Sequence, residues 1–422
     1  MPAATAARRR PATPARRAAY AVLRRVFEDG AWADRALHAA AGGLDARERA
    51  LATQLAYGAV QRAGTLDHVA ERLAGRPVDR LDPPVRAALR LGLFQLLYLD
   101  GIPDHAAVDS SVALARADAP RATGLVNAVL RRATREEFAF DDGTPEGAAL
   151  RHSVPRWLAE RWFAEFGPAE ARALLAAINE PAEAALRVNT LVTTRDALLS
   201  RLPGHAAPAD PDAVVLDAPF DAHGHPLFDA GAYHPQSRAS QRVGRAVDPR
   251  AGERVLDLCA APGGKTTHLA ALMDGEGEVV AVERHTGRAN ALVRTVARLR
   301  ADGVVRVENA DATDARSDGP FDRVLVDPPC SGLGTLQSRP DRRWRAGPDA
   351  PLELQAAILD AAAAVTARRL VYSTCTISRA ENEDQVAAFL ERHPDFTLSA
   401  THVTLPHRDR TDGFYLATLD RA

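Results

Sequence analysis

From Arg254 onward, apolar runs of strand length alternate with segments of helical period, and this alternation constrains the fold more than any other feature of the chain. The runs are RVLDLC at 254–259, EVVAVE at 278–283, VVRVENAD at 304–311, FDRVLVDPP at 321–329 and RRLVYSTC at 368–375. Helical segments between most of them predict an α/β fold with a mostly parallel, doubly wound sheet. The closing run, GFYLATLDR at 413–421, follows an Asp412-Gly413 turn and predicts an antiparallel strand added at the sheet edge.

The rest of the chain divides ahead of this sheet. Residues 1–17, rich in Ala, Arg and Pro, lack apolar periodicity and read as a disordered basic tail. Residues 18–140 read as an all-α domain, with apolar side chains three and four apart in Tyr20, Leu23 and Phe27, and again in Leu89, Leu93, Leu96 and Leu97. Asp141, Asp142, Gly143 and Pro145 mark a linker over 141–150. Residues 151–235 read as a small α+β connector, helical from Pro155 to Asn179 and strand-like in LRVNTL at 186–191. Little pattern is visible from Leu202 to Pro235. The sheet domain takes 236–422.

Composition excludes several function classes. No run approaches the ~18 apolar residues of a membrane helix, and no apolar signal core opens the chain, so a cytoplasmic protein without a membrane partner is expected. The net charge of -2 conceals an asymmetry, since residues 1–150 carry 21 Arg against 18 acidic residues. The front of the chain is therefore the better nucleic-acid candidate. Cys259, Cys330 and Cys375 are the only cysteines. They are too few and too scattered for a disulfide framework or a zinc site, so reduced thiols and no metal are expected. Lys265 is the only Lys among 53 basic residues, an isolated choice in an Arg background.

Chemistry gathers at the carboxyl ends of the expected strands. The loop LCAAPGGKT at 258–266 holds Gly263 and Gly264, which let the backbone approach a ligand lying over the next helix N-terminus. It ends in GKT, but Cys259 stands where a phosphate-binding P-loop needs Gly. Glu283 lies about twenty residues further on, where doubly wound nucleotide sites place a carboxylate on ribose hydroxyls. Asp311, after the third strand, is placed to meet an adenine edge. In DPPCSG at 327–332 two prolines stiffen the turn from which Asp327 and Cys330 project. Cys375, in YSTC, reaches the same sheet edge from the next strand.

These residues resemble the RsmB (Sun or Fmu) family of ribosomal RNA cytosine-5 methyltransferases, over nearly the whole chain. The resemblance rests on VLDLCAAPGGKTTHL at 255–269, DPPCSGLGTL at 327–336, RPDRRW at 339–344, LVYSTCT at 370–376 with ENE at 381–383, and DGFYLATL at 412–419. In front, RAALRLGLFQLLYLDGIPDHAAVD at 86–109 and GLVNAVLRR at 124–132 resemble the NusB-like domain of the same proteins. The resemblance implies a Rossmann-like methyltransferase sheet preceded by that all-α domain. It implies S-adenosyl-L-methionine as cofactor, held by Cys259, Ala260, Ala261, Pro262, Gly263, Gly264, Lys265, Glu283, Asp311 and Asp327. It also implies Cys375 as nucleophile, Cys330 as the thiol aiding turnover, and small-subunit ribosomal RNA as the partner of a monomer. The chain departs from the family pattern at Ser237, where Asp is usual, at the turn near Ala367, which lacks Gly-Gly, and at AVDSS over 107–111, where AVNEA is common.

Two thiols suit that reaction. Carbon 5 of cytosine is a poor nucleophile, and thiolate addition at carbon 6 turns the ring into an enamine that can take a methyl group. A base must then remove the carbon 5 proton, and Cys330 is the nearest thiol in the motif set. Asp327 would bond the exocyclic amine or ring N3. The target base must be unpaired or flipped, which suits RNA loops. The Arg-rich front domain, Arg187 and Asn189 are candidates for holding the RNA backbone. Two rivals remain at this point: a non-catalytic RNA-binding factor, and a DNA cytosine-5 methyltransferase with Cys330 as nucleophile.

Overall fold

The computed structural model describes residues 11–218, 220–314, 318–345, 347 and 349–422. They fall into two compact units, Met1–Asn179 with Ser338–Arg345, and Glu180–Gln337 with Ala346–Ala422.

The first unit is helical. Its first helix, Pro14–Phe27, starts where Thr13 caps the backbone N–H of Arg16 and Pro14 supplies a pre-set φ. Ala12 and Ala15 are buried against this unit. The expected tail is therefore too long, because Ala12 is buried and residues 14–17 belong to the packed helix, while residues 1–10 lie outside the described residues. Leu23, Leu55, Leu66 and Leu89 fill the core. Helices Pro145–His152, Arg156–Phe166 and Pro168–Ala177 belong here as well. Thr65 donates to the Leu150 carbonyl and Ser153 Oγ accepts from the Gly64 N–H at 3.0 Å. The helical half of the expected connector thus packs with the front domain.

The RPDRRW segment closes this unit. Arg343 is fully buried and donates to the carbonyls of Gln61, His152, Ser153 and Ile178 and to Asn179 Oδ1. Gln61 and His152 end their helices and Ile178 caps a third, so one guanidinium satisfies carbonyls that helix C-termini leave without partners. Trp344 Nε1 donates to the Val60 carbonyl at 2.7 Å beside it.

The second unit holds two sheets. β1 (Ala185–Val188), β2 (Gly204–Ala206), β3 (Ala213–Leu216) and β4 (Tyr233–Pro235) pair antiparallel in the order β2-β3-β1-β4. Three of these short strands lie in the stretch where the sequence showed little pattern. The larger sheet contains β5 (Arg254–Asp257), β6 (Glu278–Val282), β7 (Val305–Glu308), β8 (Phe321–Val326), β9 (Thr366–Thr374), β10 (Phe396–Thr404) and β11 (Phe414–Arg421), in the order β10-β11-β9-β8-β5-β6-β7. From β5 to β9 all pairs are parallel. Successive residues point to opposite faces: Leu256, Val280, Val324 and Leu370 enter one core, and Val255, Val279, Leu325 and Val371 the other.

The expected edge position of the last strand is corrected. β11 pairs antiparallel with both β9 and β10, and β10 is the edge. β10 escaped the sequence because its alternation, Phe396, Leu398 and Ala400, is short, and the strand buries only its two end residues. The strand order reverses at β5, which lies between β6 and β8, so a ligand crevice opens at the carboxyl ends of β5 and β8. Among the described residues no helix is long and apolar enough to cross a membrane.

Arg343→Ala is expected to destabilise the helical unit by about 3 kcal/mol, since it takes a charged donor from the Gln61 and Ser153 carbonyls, while those of His152 and Ile178 keep Asn179 Nδ2 and Gln61 Nε2. Chemical denaturation followed by circular dichroism measures this, with Arg343→Lys recovering only part of the loss.

Candidate active site

Every element that reaches the crevice does so because a strand ends there. After β5 the chain turns through Cys259–Gly263 into the helix Gly264–Leu272. Gly263 sits at φ +104°, and a Cβ on it would lie 2.7 Å from Leu292 Cδ1, so only glycine fits. Thr266 Oγ1 donates to Asp257 Oδ2 at 2.7 Å, tying the helix to the strand. Burial, abetted by nearby Asp327, pushes the Asp257 carboxyl up to about 6. Burial also pushes the Cys259 thiol far above its ordinary range, which suits a packing residue and not a nucleophile.

The acidic strand ends lie on the β6 and β7 side. Glu283 is buried, its Oε1 accepting from the His285 N–H at 2.8 Å and its Oε2 standing 3.4 Å from Arg288. Asp311 is half-buried. Its Oδ1 accepts from the N–H and hydroxyl of Thr313, bonds that hold its carboxyl below the usual range. A buried carboxylate suited to vicinal hydroxyls, a second one suited to an amine, and a glycine loop at a helix N-terminus fit S-adenosylmethionine as a donor set.

The thiols lie on the β8 and β9 side. β8 and β9 pair in parallel with Val326 opposite Tyr372, so the turns that follow them meet. Cys330 and Cys375 form no disulfide and are both half-buried, with their sulfurs 3.3 Å apart. The hydrogen bond to Cys375, burial, and the charges of Cys375, Glu381 and Asp327 hold the Cys330 thiol well above its ordinary range. Either sulfur can donate to the other across this contact.

Lys265, the single Lys, places Nζ 2.7 Å from Asp327 Oδ2. Burial works against its charge, but Asp327 outweighs burial, and the ammonium stays above its usual range with the Cys375 charge adding to the effect. The sequence reading assigned Lys265 to the cofactor loop and missed this pair, although its isolation in an Arg background was the available signal.

Arg187 and Asn189 are corrected. Both were expected on the RNA backbone, and both are buried and spent internally. Arg187 donates to Gln236 Oε1, the Gly264 carbonyl and Thr267 Oγ1, bracing the helix after the glycine loop. Asn189 Nδ2 donates to the carbonyls of Gly231 and Leu299 at 2.9 and 2.8 Å. The strand that carries Arg187 is buried along its length and Asn189 directly follows it, which a short polar-apolar run did not reveal.

Fold and site together define a doubly wound methyltransferase with a nucleoside-type cofactor site and a two-thiol centre. Family models agree along the chain: 16S rRNA methyltransferase RsmB/F over residues 245–420, the NusB family over 13–135, and a ferredoxin-like domain of RsmF/B-like methyltransferases over 154–223. The chain is 37% identical to ribosomal RNA small subunit methyltransferase B of Sodalis glossinidius, over 89% of this chain and 90% of that one. It is 34% identical to the protein of that name in Vibrio cholerae, over 96% and 97%. The crystal structure of PH0851 superposes with a TM-score of 0.84 at 27% identity, covering 97% of this chain and 98% of that one. The chain belongs to the RsmB/F family of ribosomal RNA methyltransferases, and it uses S-adenosyl-L-methionine.

The turn after Cys330 admits no side chain at Gly334. A Cβ there would stand 1.8 Å from the Gly413 carbonyl oxygen, and the Gly334 N–H donates to the Cys375 carbonyl at 3.0 Å. Gly334→Ala is expected to shift the Cys375 turn and lower RNA methylation about a hundredfold with the fold retained. Steady-state methyl transfer and circular dichroism on the same preparation check both halves.

Proposed function

We propose that the enzyme methylates carbon 5 of a cytosine in 16S ribosomal RNA, in the cytoplasm, through a covalent bond between Cys375 and carbon 6. The observation that carries this reading is the pair of reduced thiols 3.3 Å apart at the switch-point crevice. Methyl transfer to an exocyclic amine or a ribose hydroxyl has no use for two thiols.

We assign the attack to Cys375, whose charge couples favourably to the Lys265 ammonium. The family resemblance implies the same assignment, against the mechanism considered for DNA enzymes. When the Cys375 thiolate bonds to carbon 6, the π electrons of the 5,6 bond move into the ring and carbon 5 becomes nucleophilic. S-adenosylmethionine, when bound by Cys259–Lys265, Glu283 and Asp311, supplies the methyl group that carbon 5 receives. Asp327 faces the base and accepts a hydrogen bond from its exocyclic amine, with Lys265 fixing its orientation. Bond formation cancels the negative charge on Cys375. Cys330 gives its proton to solvent, its thiolate takes the carbon 5 proton, the electrons of the carbon-hydrogen bond re-form the double bond, and Cys375 leaves as thiolate. The helical unit, with its Arg-rich sequence, supplies RNA affinity.

The two thiols separate by what each loss leaves behind. Cys375→Ala is expected to form no covalent RNA adduct, and Cys330→Ala to attack, methylate and stall as a protein-RNA adduct. Denaturing gels with labelled RNA and S-adenosylmethionine display the adduct as a shifted band; a band with Cys375→Ala and none with Cys330→Ala would reverse the assignment.

Asp311→Ala is expected to weaken S-adenosylmethionine binding by about tenfold, the scale of one charge-assisted hydrogen bond, with RNA affinity unchanged. Calorimetry with cofactor alone and filter binding with RNA alone measure the two affinities.

A further inference from the structure

The ENE motif at 381–383 has no part in the chemistry described so far, yet two of its residues are buried directly behind the thiols. Glu381 is fully buried. Its Oε2 accepts from the Ser331 N–H at 2.9 Å and from Gln355 Nε2 at 3.0 Å, and its Oε1 accepts from Ser331 Oγ. Gln355 Nε2 also donates to the Pro329 carbonyl at 3.0 Å. The Cys330 turn is thus gripped on the residue before it and the residue after it. Asn382, also buried, does the same for the other thiol. Thr374 Oγ1 donates to Asn382 Oδ1, and Asn382 Nδ2 donates to the Thr376 carbonyl at 3.1 Å, so both neighbours of Cys375 are bound to one amide. Ser331 Oγ and Thr376 Oγ1, 2.7 Å apart, link the two grips.

We infer that Glu381 and Asn382 are positioning residues that hold the Cys330 and Cys375 sulfurs in reacting register, one adjacent pair of side chains framing both turns. A buried carboxylate is costly unless its oxygens are bonded, and here every bond it makes goes to the Cys330 turn or to the Gln355 that grips that turn. The same carboxylate adds to the charges that keep the Cys330 proton in place. The frame is local, because the tether is a dipeptide and slack in one turn would carry to the other. This inference rests on the reading that both thiols act in one reaction.

Cross-linking tests the register without RNA or turnover. Treating the full-length protein with diamide oxidises the two thiols to one disulfide while the diazene takes both hydrogens and becomes a hydrazine. Peptide mapping follows the Cys330–Cys375 bond over time. The wild type is expected to cross-link, and Glu381→Ala and Asn382→Ala each to do so at least about tenfold more slowly, the loss of effective concentration expected of groups no longer held together. Glu381→Gln is expected to restore the rate, since its amide can accept from Ser331 N–H and Gln355 and donate to Ser331 Oγ. S-adenosylmethionine affinity is expected to be unchanged in all of them. Should Glu381→Ala not fold, Thr374→Val removes only the hydroxyl that bonds Asn382 and is expected to slow the cross-link too. Wild-type rates in the alanine variants, failure of Glu381→Gln to recover, or no cross-link in the wild type would overturn the inference. Slowed cross-linking in a protein that makes no 5-methylcytosine would sink the proposed reaction and leave the frame standing.

Discussion

Two sulfurs held 3.3 Å apart require two strand ends that cannot slide, and the parallel pairing of β8 with β9 provides them. A slip of one residue in that register would send the apolar residues of one strand to the wrong face. Val324 and Leu370 enter one core and Leu325 and Val371 the other, so the cost of a slip is spread over both faces of the sheet. The turns after the strands inherit this precision. Chemistry at the carboxyl edge is therefore specified by packing in the middle of the sheet, and Lys265 with Asp327 adds a charge pair at the point where the strand order reverses.

The parallel strands were legible because their apolar runs are buried on both faces and end in residues with distinctive chemistry. β10 was not, since FTLSATHVT leaves Leu398 and Val403 exposed and its alternation stops after Ala400. The cysteines were legible as a pair from their strand-end positions, but only tertiary structure gives the distance between their sulfurs. Arg187 and Asn189 misled for a physical reason. A polar residue on a short strand reads as solvent-facing, yet Arg187 finds three internal acceptors that no local pattern announces. Glu381 and Asn382 stood in a recognised motif whose purpose depends on partners as much as 50 residues away.

The helical unit shows the same economy of means. Its loops leave helix C-terminal carbonyls without local partners, and a single guanidinium from residue 343 gathers them. An Arg is suited to this, because its planar fork presents several donors at fixed angles and keeps its charge when buried. The eight residues Ser338–Arg345 therefore count with the helices in packing although they follow the Cys330 turn in sequence.

The central claim is that the thiol pair exists to methylate carbon 5. Incubating the full-length enzyme and S-adenosylmethionine with 16S ribosomal RNA lacking modifications, then digesting the RNA and identifying the methylated nucleoside by mass spectrometry, tests it directly. The account predicts 5-methylcytidine at a defined cytosine. A methyl group on an exocyclic amine or a ribose hydroxyl, with carbon 5 untouched, would contradict it.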